Sequence, residues 1–288
     1  MKIGFSFMNT PQDPCPMELA IALEERGYES LWTGEHSHIP VSRQTPWPAG
    51  EELPEPYKQL SDPYISLMAA AAVTTKLKIC TGIALLNQRD IFSQAKTIST
   101  LDRVSKGRVI IGAGIGWNRE EFENSCHHPW KKRYTLLKET VAATRSLWQD
   151  DEAEYHGTMV DFDAVWSGAK PWHERPEGPP VMLGVMGPLG VQHAAAWSDG
   201  WMPADIGMDN FADQLASFRR QVSQHGRDPH SAPVSVQALH TPDLDGLKRY
   251  RDMGVERVIV GVDMQLWGKQ AEIQALMDRY AEYIPKIA

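Results

Sequence analysis

The chain is poor in cysteine, in long apolar runs and in net positive charge, and each shortage excludes something. Its 288 residues include three cysteines, Cys15, Cys80 and Cys126, which are odd in number and far apart. They make no disulfide framework and no zinc-ligand spacing, so a reducing cytosol is the expected compartment. The longest uninterrupted apolar run, Leu67 to Val73, is seven residues, against the ~18 that suggest a spanning helix. The first apolar stretch runs into Asn9-Thr10-Pro11 with no small-residue cleavage pattern, so neither a membrane protein nor a secreted one is expected. With 29 Lys+Arg against 37 Asp+Glu the net charge is −8, which argues against nucleic acid as a main partner. There is no P-loop, no nucleophile elbow and no His-Glu-x-x-His zinc helix. Cys126-His127-His128 are three neighbours that cannot converge on a metal, and Asp243-Leu244-Asp245-Gly246 lacks the further ligands of a calcium loop.

What the chain does have is a rhythm. Short β-like runs at 2–7, 30–35, 77–85, 108–115, 181–185, 200–206, 234–240 and 257–263 alternate with helical stretches. The helical stretches lie near 16–28, 61–75, 91–105, 131–149, 188–198, 209–225, 242–253 and 268–284. The strand runs are mostly continuously apolar rather than alternating, as parallel strands covered on both faces should be. Asp62-Pro63 reads as an N-cap followed by a first-turn proline, and Gly27 sits where the first helix should stop. Eight such repeats predict one α/β domain over residues 1–288, a closed (β/α)8 TIM barrel, with an open doubly wound sheet as the competing fold. Three stretches break the rhythm as insertions after strands 2 and 4 and before strand 5. The first, 38–60, carries five prolines; the second is 117–130; the third, 150–180, contains a small hairpin near 153–163. Loops that follow barrel strands build the catalytic face, so the first two are expected to shape a pocket.

Reading the C-terminal ends of the strands gives the candidate site: Asn9, Glu35-His36, Gly82 through Asn87, Gly114 through Trp117, Gly184 through Gly187, Asp205, His240 and Asp263. Thr33-Gly34-Glu35-His36 is the sharpest feature, because a carboxylate and an imidazole leave one strand together, and histidine is the commonest general acid/base. A capped strand end with a satisfied histidine is the competing reading. Gly112-Ala113-Gly114-Ile115-Gly116-Trp117 is a poor dinucleotide fingerprint, since Trp117 replaces its last glycine and no helix follows at once. Small residues that let backbone approach a flat ligand, with Trp117 as a wall, fit it better. Gly184-Val185-Met186-Gly187-Pro188 leads into a helix whose N-terminus suits a phosphate, or is an ordinary strand-to-helix turn. Of the ten tryptophans, Trp148 and Trp197 are expected in the core, while Trp47, Trp117 and Trp201 are expected beside the pocket.

Several of these segments resemble the bacterial luciferase-like monooxygenase superfamily. They are Tyr28 through His36, Asp62-Pro63, Gly82 through Asp90, Ala95 through Arg108, Gly112 through Glu121, Pro179-Pro180, Asp199-Gly200-Trp201 and Gly226 through Pro229. The spacing is most similar to the branch of probable F420-dependent oxidoreductases. The resemblance implies a TIM barrel binding coenzyme F420, or alternatively FMN, at its C-terminal face, with a homodimer common. It implies hydride transfer to or from a small, largely apolar organic substrate. The alternative is an FMN-dependent monooxygenase served by a separate flavin or F420 reductase, and a remoter one is a flavin-binding barrel without turnover. A non-redox barrel is the reading from another class, but no strand-end lysine or metal-ligand pair supports it. Carried over residue by residue, His36 is the expected acid/base with Glu35 as its neighbour or orienter. Gly82-Ile83 is expected to form a strand bulge with a cis peptide behind the central ring. Gly114, Ile115, Gly116 and Trp117 are expected to lie against the cofactor, and Gly184, Val185, Met186 and Gly187 to receive its phosphate. The chain departs from many relatives in lacking two adjacent glycines at that turn. It also has Trp117 where some hydride-transferring relatives carry a carboxylate, which speaks against a glucose-6-phosphate type of reaction.

Overall fold

Five of the six residues of the first strand, β1 (Lys2–Phe7), are buried, and every residue of β2 (Ser30–Thr33), β4 (Val109–Ala113) and β10 (Arg257–Val260) is buried. Strands of that kind need cover on both faces, which a helix-wrapped parallel sheet provides. A computed structural model of the protein describes residues 1–50, 52–205, 210–261 and 264–287. In it these strands join β3 (Lys78–Ala84), β7 (Val181–Leu183), β8 (Gly200–Trp201) and β9 (Ser235–Gln237) in one parallel sheet of order β8-β7-β4-β3-β2-β1-β10-β9. Parallel bridges Trp201↔Val234 and Ala204↔Gln237 bring the two ends together. The result is the nearly closed (β/α)8 barrel that the alternation predicts.

Helices α1 (Pro16–Glu25), α2 (Pro63–Val73), α3 (Ile91–Val104), α4 (Arg119–Ser125), α5 (Arg133–Gln149), α6 (Gly187–Trp197), α7 (Phe211–Gln224), α8 (Leu244–Asp252) and α9 (Gln270–Ile287) connect the strands. Asp62 caps α2 as expected, its carboxylate accepting the Tyr64 and Ile65 amides. Asp243 does the same for α8 through Gly246, a cap rather than a calcium ligand. The insertion before β7 carries the hairpin β5 (Glu152–His156) and β6 (Asp161–Trp166). One helix is absent from the sequence reading: α4, which lies inside the 117–130 insertion.

Two cores result. The larger fills the space between sheet and helices, and a smaller cluster of Trp32, Cys80, Ile110, Met182, Met202 and Ile259 fills the barrel itself. At the N-terminal end of the strands, Arg257 donates to Glu29 at 2.6 and 2.7 Å and to Ser235 Oγ at 2.8 Å. β1 ends where predicted, and the other seven barrel strands stop one to five residues short of the predicted runs at their C-terminal ends. There the backbone leaves the sheet at Gly34, Gly184 and Met202, and it is this rim that carries the site.

Candidate active site

The rim opens into a cavity of about 840 Å³, in the range of small-molecule and cofactor sites. Its floor is the peptide Gly82–Ile83, which is cis and sits at the β3 bulge, as the sequence reading expects. The Ile83 side chain packs where two glycines leave room. A Cβ on Gly114 would lie 1.8 Å from Ile83 Cδ1, and one on Gly184 would lie 2.3 Å from Ile83 Cγ2. Gly114 therefore shapes the wall from behind, without lining the cavity. Ile115, Gly116, Trp117, Gly184, Val185 and Met186 do line it. Gly187 does not; it is the first residue of α6, with φ +74°, a conformation that asks for glycine. Gln237, which the sequence reading did not single out, donates its amide to Gly82 O at 3.2 Å from the far side of the barrel.

His36 leaves β2 through Gly34 and Glu35 and faces this cavity. Its Nδ1 lies 2.6 Å from Glu121 Oε2 on α4, and its Nε2 accepts the Trp117 indole N–H at 3.1 Å. The Tyr57 ring stands edge-on at 5.4 Å, and Trp47 in turn meets Tyr57 at 6.0 Å. Glu35 does not orient His36. Successive residues leaving a strand point opposite ways, and the buried Glu35 carboxylate turns to the Leu85 amide (2.7 Å) and the Arg89 guanidinium. Arg89 also reaches Asp62 at 2.7 Å, so Glu35 ties the loop after β3 to the start of α2.

The insertion after β2 is held over the cavity by α4. Glu120 accepts the Gln44 and Thr45 amides and the Thr45 hydroxyl (2.9, 3.1 and 2.7 Å). Burial would raise its carboxyl, but these donors prevail and hold it down at about 2. Asn124 adds a bond to His38 at 3.0 Å. Trp47, Pro48 and Tyr57 reach the cavity on this loop.

Other candidates fall away. Trp201 is fully buried outside the barrel, packed on Phe211 and Phe218 with its N–H on Val185 O, so it is no wall of the pocket. Asp205 accepts the Leu239 and His240 amides and closes a loop. Asn9 donates to Ser61 O, and Asp263 lies outside the described residues. Among the described residues no group of histidines, cysteines and carboxylates could hold a metal.

One cation on the wall does suit a phosphorylated cofactor. Arg133, at the start of α5, stacks on Trp130 at 4.1 Å. Among the described residues its buried Nε has no hydrogen-bond partner. With the glycine-backed floor, that leaves a flat apolar bed and a donor for an anion, a set of residues that fits a flavin or deazaflavin phosphate.

Comparison with known proteins places the chain in a family. The luciferase-like monooxygenase profile matches residues 16–281, and the protein belongs to that family. An uncharacterized protein of Mycobacterium tuberculosis is 33% identical over 268 residues, covering 91% of this chain and 92% of that one. An F420-dependent glucose-6-phosphate dehydrogenase of Amycolatopsis mediterranei is 26% identical, over 75% of this chain and 61% of that one. The coenzyme F420-dependent tetrahydromethanopterin reductase from Methanopyrus kandleri superposes with a TM-score of 0.78 at 16% identity, covering 100% of this chain and 99% of that one. The chain is thus a member of the luciferase-like monooxygenase family, and one of its relatives is an F420-dependent dehydrogenase.

Proposed function

We propose that the protein is an F420-dependent oxidoreductase that moves a hydride to or from a small, largely apolar organic substrate, with His36 exchanging the accompanying proton. The observation that carries this reading is the His36 imidazole, which lines the same cavity as Gly82 and Ile83, set between the Tyr57 and Trp117 rings with its Nε2 on the Trp117 indole N–H. Gly82, Ile83, Ile115, Gly116 and Trp117 would hold the ring system, backed by Gly114. Gly184, Val185, Met186 and the α6 turn at Gly187 would receive the phosphate, with Arg133 as its counter-charge. When bound, the cofactor supplies a carbon or nitrogen centre that accepts or releases hydride. Around it, Trp47 and Tyr57 exclude water, and Glu35 fixes the loop that carries the floor. The family's name favours a second reading, an FMN-dependent monooxygenase fed by a separate reductase.

Titration of the purified protein with coenzyme F420 and FMN side by side, followed by fluorescence, separates the two. F420 is expected to bind at least tenfold more tightly, and Arg133→Leu to weaken binding by 10-fold or more, the cost of one charge-assisted contact of about 1.5–3 kcal/mol. Preference for FMN would transfer the assignment to the monooxygenase, and binding of neither would overturn both.

The second part of the proposal is a cytosolic homodimer. The α2 sequence has no charged residue, and its outward side exposes Ile65 (73% accessible), Ala72 and Val73, beside Met17 and Ile21 on the neighbouring α1. An apolar helix face without a partner is characteristic of an interface. Light scattering on the eluting protein should give twice the chain mass, and Ile65→Glu should give the monomer. A wild-type monomer at micromolar concentration would refute the dimer.

A further inference from the structure

Resting on the reading of His36 as the proton-exchanging group, one question is which form of its ring the protein holds ready. The groups around it answer by elimination. The indole nitrogen of Trp117 is a donor only, and it points at Nε2 from 3.1 Å. Nε2 must therefore present its lone pair. On the other side Glu121 is fully buried, and its two oxygens take the Ser37 amide at 2.9 Å and His36 Nδ1 at 2.6 Å. A buried carboxylate needs donors on both oxygens, so Nδ1 carries the proton.

We infer that Glu121 is a positioning residue that holds His36 as the Nδ1–H tautomer, and that Trp117 caps the Nε2 lone pair until substrate displaces it. The sequence Asn118-Arg119-Glu120-Glu121 has the spacing of a capping box, in which the last glutamate would reach back to the first residue's amide. Only half of that box forms. Asn118 Oδ1 accepts the Glu121 amide, while the Glu121 carboxylate leaves the helix end and crosses to residues 36 and 37.

The arrangement selects substrates. A neutral Nε2 accepts but does not donate, so the group that replaces the indole N–H is itself a donor, such as a hydroxyl. The step that follows is an oxidation. Nε2 would take the substrate O–H proton, and a deazaflavin or flavin held by Gly82, Ile83, Ile115 and Gly116 would, in its oxidised form, supply the acceptor for the hydride released as the C–H bond breaks. The C–O single bond becomes a carbonyl, the imidazolium formed is stabilised by Glu121, and its proton then returns to solvent. Glu121 and Trp117 touch neither transferred atom; they act through the ring they hold.

The test is the ring-nitrogen NMR of histidine-labelled protein near neutral pH, with His36 assigned from its absence in His36→Asn. Wild type should show His36 protonated at Nδ1, whether or not cofactor is added. Glu121→Gln has one acceptor where the wild type has two. With its oxygen on the Ser37 amide, its NH2 faces Nδ1 and drives the proton to Nε2, where it opposes the Trp117 N–H. The expected result is the Nε2–H tautomer and a shifted Trp117 indole signal. Trp117→Phe keeps the ring and removes only the donor, and should leave the tautomer at Nδ1–H. In turnover, Glu121→Gln should lower kcat by about 10²-fold or more, as a wrongly held tautomer does in triad enzymes, with cofactor Kd within a few-fold. Wild-type His36 protonated at Nε2 or at both nitrogens would overturn the inference, whatever the variants do. So would a tautomer that Glu121→Gln leaves unchanged. If the tautomer is as stated and no cofactor binds, the proposed function fails and this assignment of the ring stands.

Discussion

His36→Ala is expected to lower kcat by about 10²–10⁴-fold, the usual worth of a general acid/base, while cofactor affinity stays within a few-fold. The separation is possible because the parts are separate. The cavity floor is Gly82–Ile83, set by packing against Gly114 and Gly184, and none of these residues bonds to His36. The substitution also removes the donor to Glu121 Oε2 and the acceptor of the Trp117 indole. One buried carboxylate then keeps only the Ser37 amide, at a stability cost of about 1–3 kcal/mol. Kinetics should therefore be taken well below the melting transition of the variant. Loss of cofactor binding with turnover per bound cofactor unchanged would remove His36 from the chemistry and make it part of the wall.

How much of this was legible in the sequence follows from which physical signals are local. Eight strands could be read because parallel strands buried on both faces appear as apolar runs, and Asp62-Pro63 could be read because a cap needs only its own few residues. The hairpin at 152–166 was found for the same reason, its turn lying within the segment. Strand ends are read too long, since residues such as Glu35 and Val185 are buried by the rim rather than by sheet neighbours. α4 was missed because Arg119–Ser125 is short and polar, and buries only Glu121 and Phe122 along its length. Trp201 was placed in the pocket because β8 is two residues long, too short for the period of two to show which face a side chain takes. Its neighbour Met202 goes into the barrel, and Trp201 goes out. Glu35 beside His36 invited a pairing that strand geometry forbids. The true partner, Glu121, lies 85 positions away on α4, a helix that the sequence reading does not include.

The two rims of the barrel divide the work, and that division makes the strongest stability prediction. At the N-terminal rim Arg257 is almost fully buried, and Glu29, on the loop entering β2, accepts from its Nε and from one terminal nitrogen, Nη2. Burial alone would raise the Glu29 carboxyl, but the Arg257 hydrogen bonds and charge outweigh it and hold the group below its ordinary 4.5. Arg257 is raised in return: burial works against its charge, and the contacts with Glu29 prevail. Removing one partner of such a pair leaves the other charge uncompensated, at a cost of about 3–5 kcal/mol. For a chain of this size that is on the order of a 10 °C drop in melting temperature, so Glu29→Ala is expected to melt well below wild type with its cofactor affinity at 25 °C nearly unchanged. The pH dependence has a definite sign. A carboxyl lowered on folding adds stability that is present in full above its unfolded value near 4.5 and is lost as pH falls through the folded value. Wild type should therefore lose stability below about pH 4.5 more steeply than Glu29→Gln, which has no charge there to lose. Equal acid slopes would mean that the pair adds nothing to folding. A loss of cofactor binding in step with stability would mean that the rim carrying His36 and the Gly82–Ile83 floor is not independent of the rim beneath it.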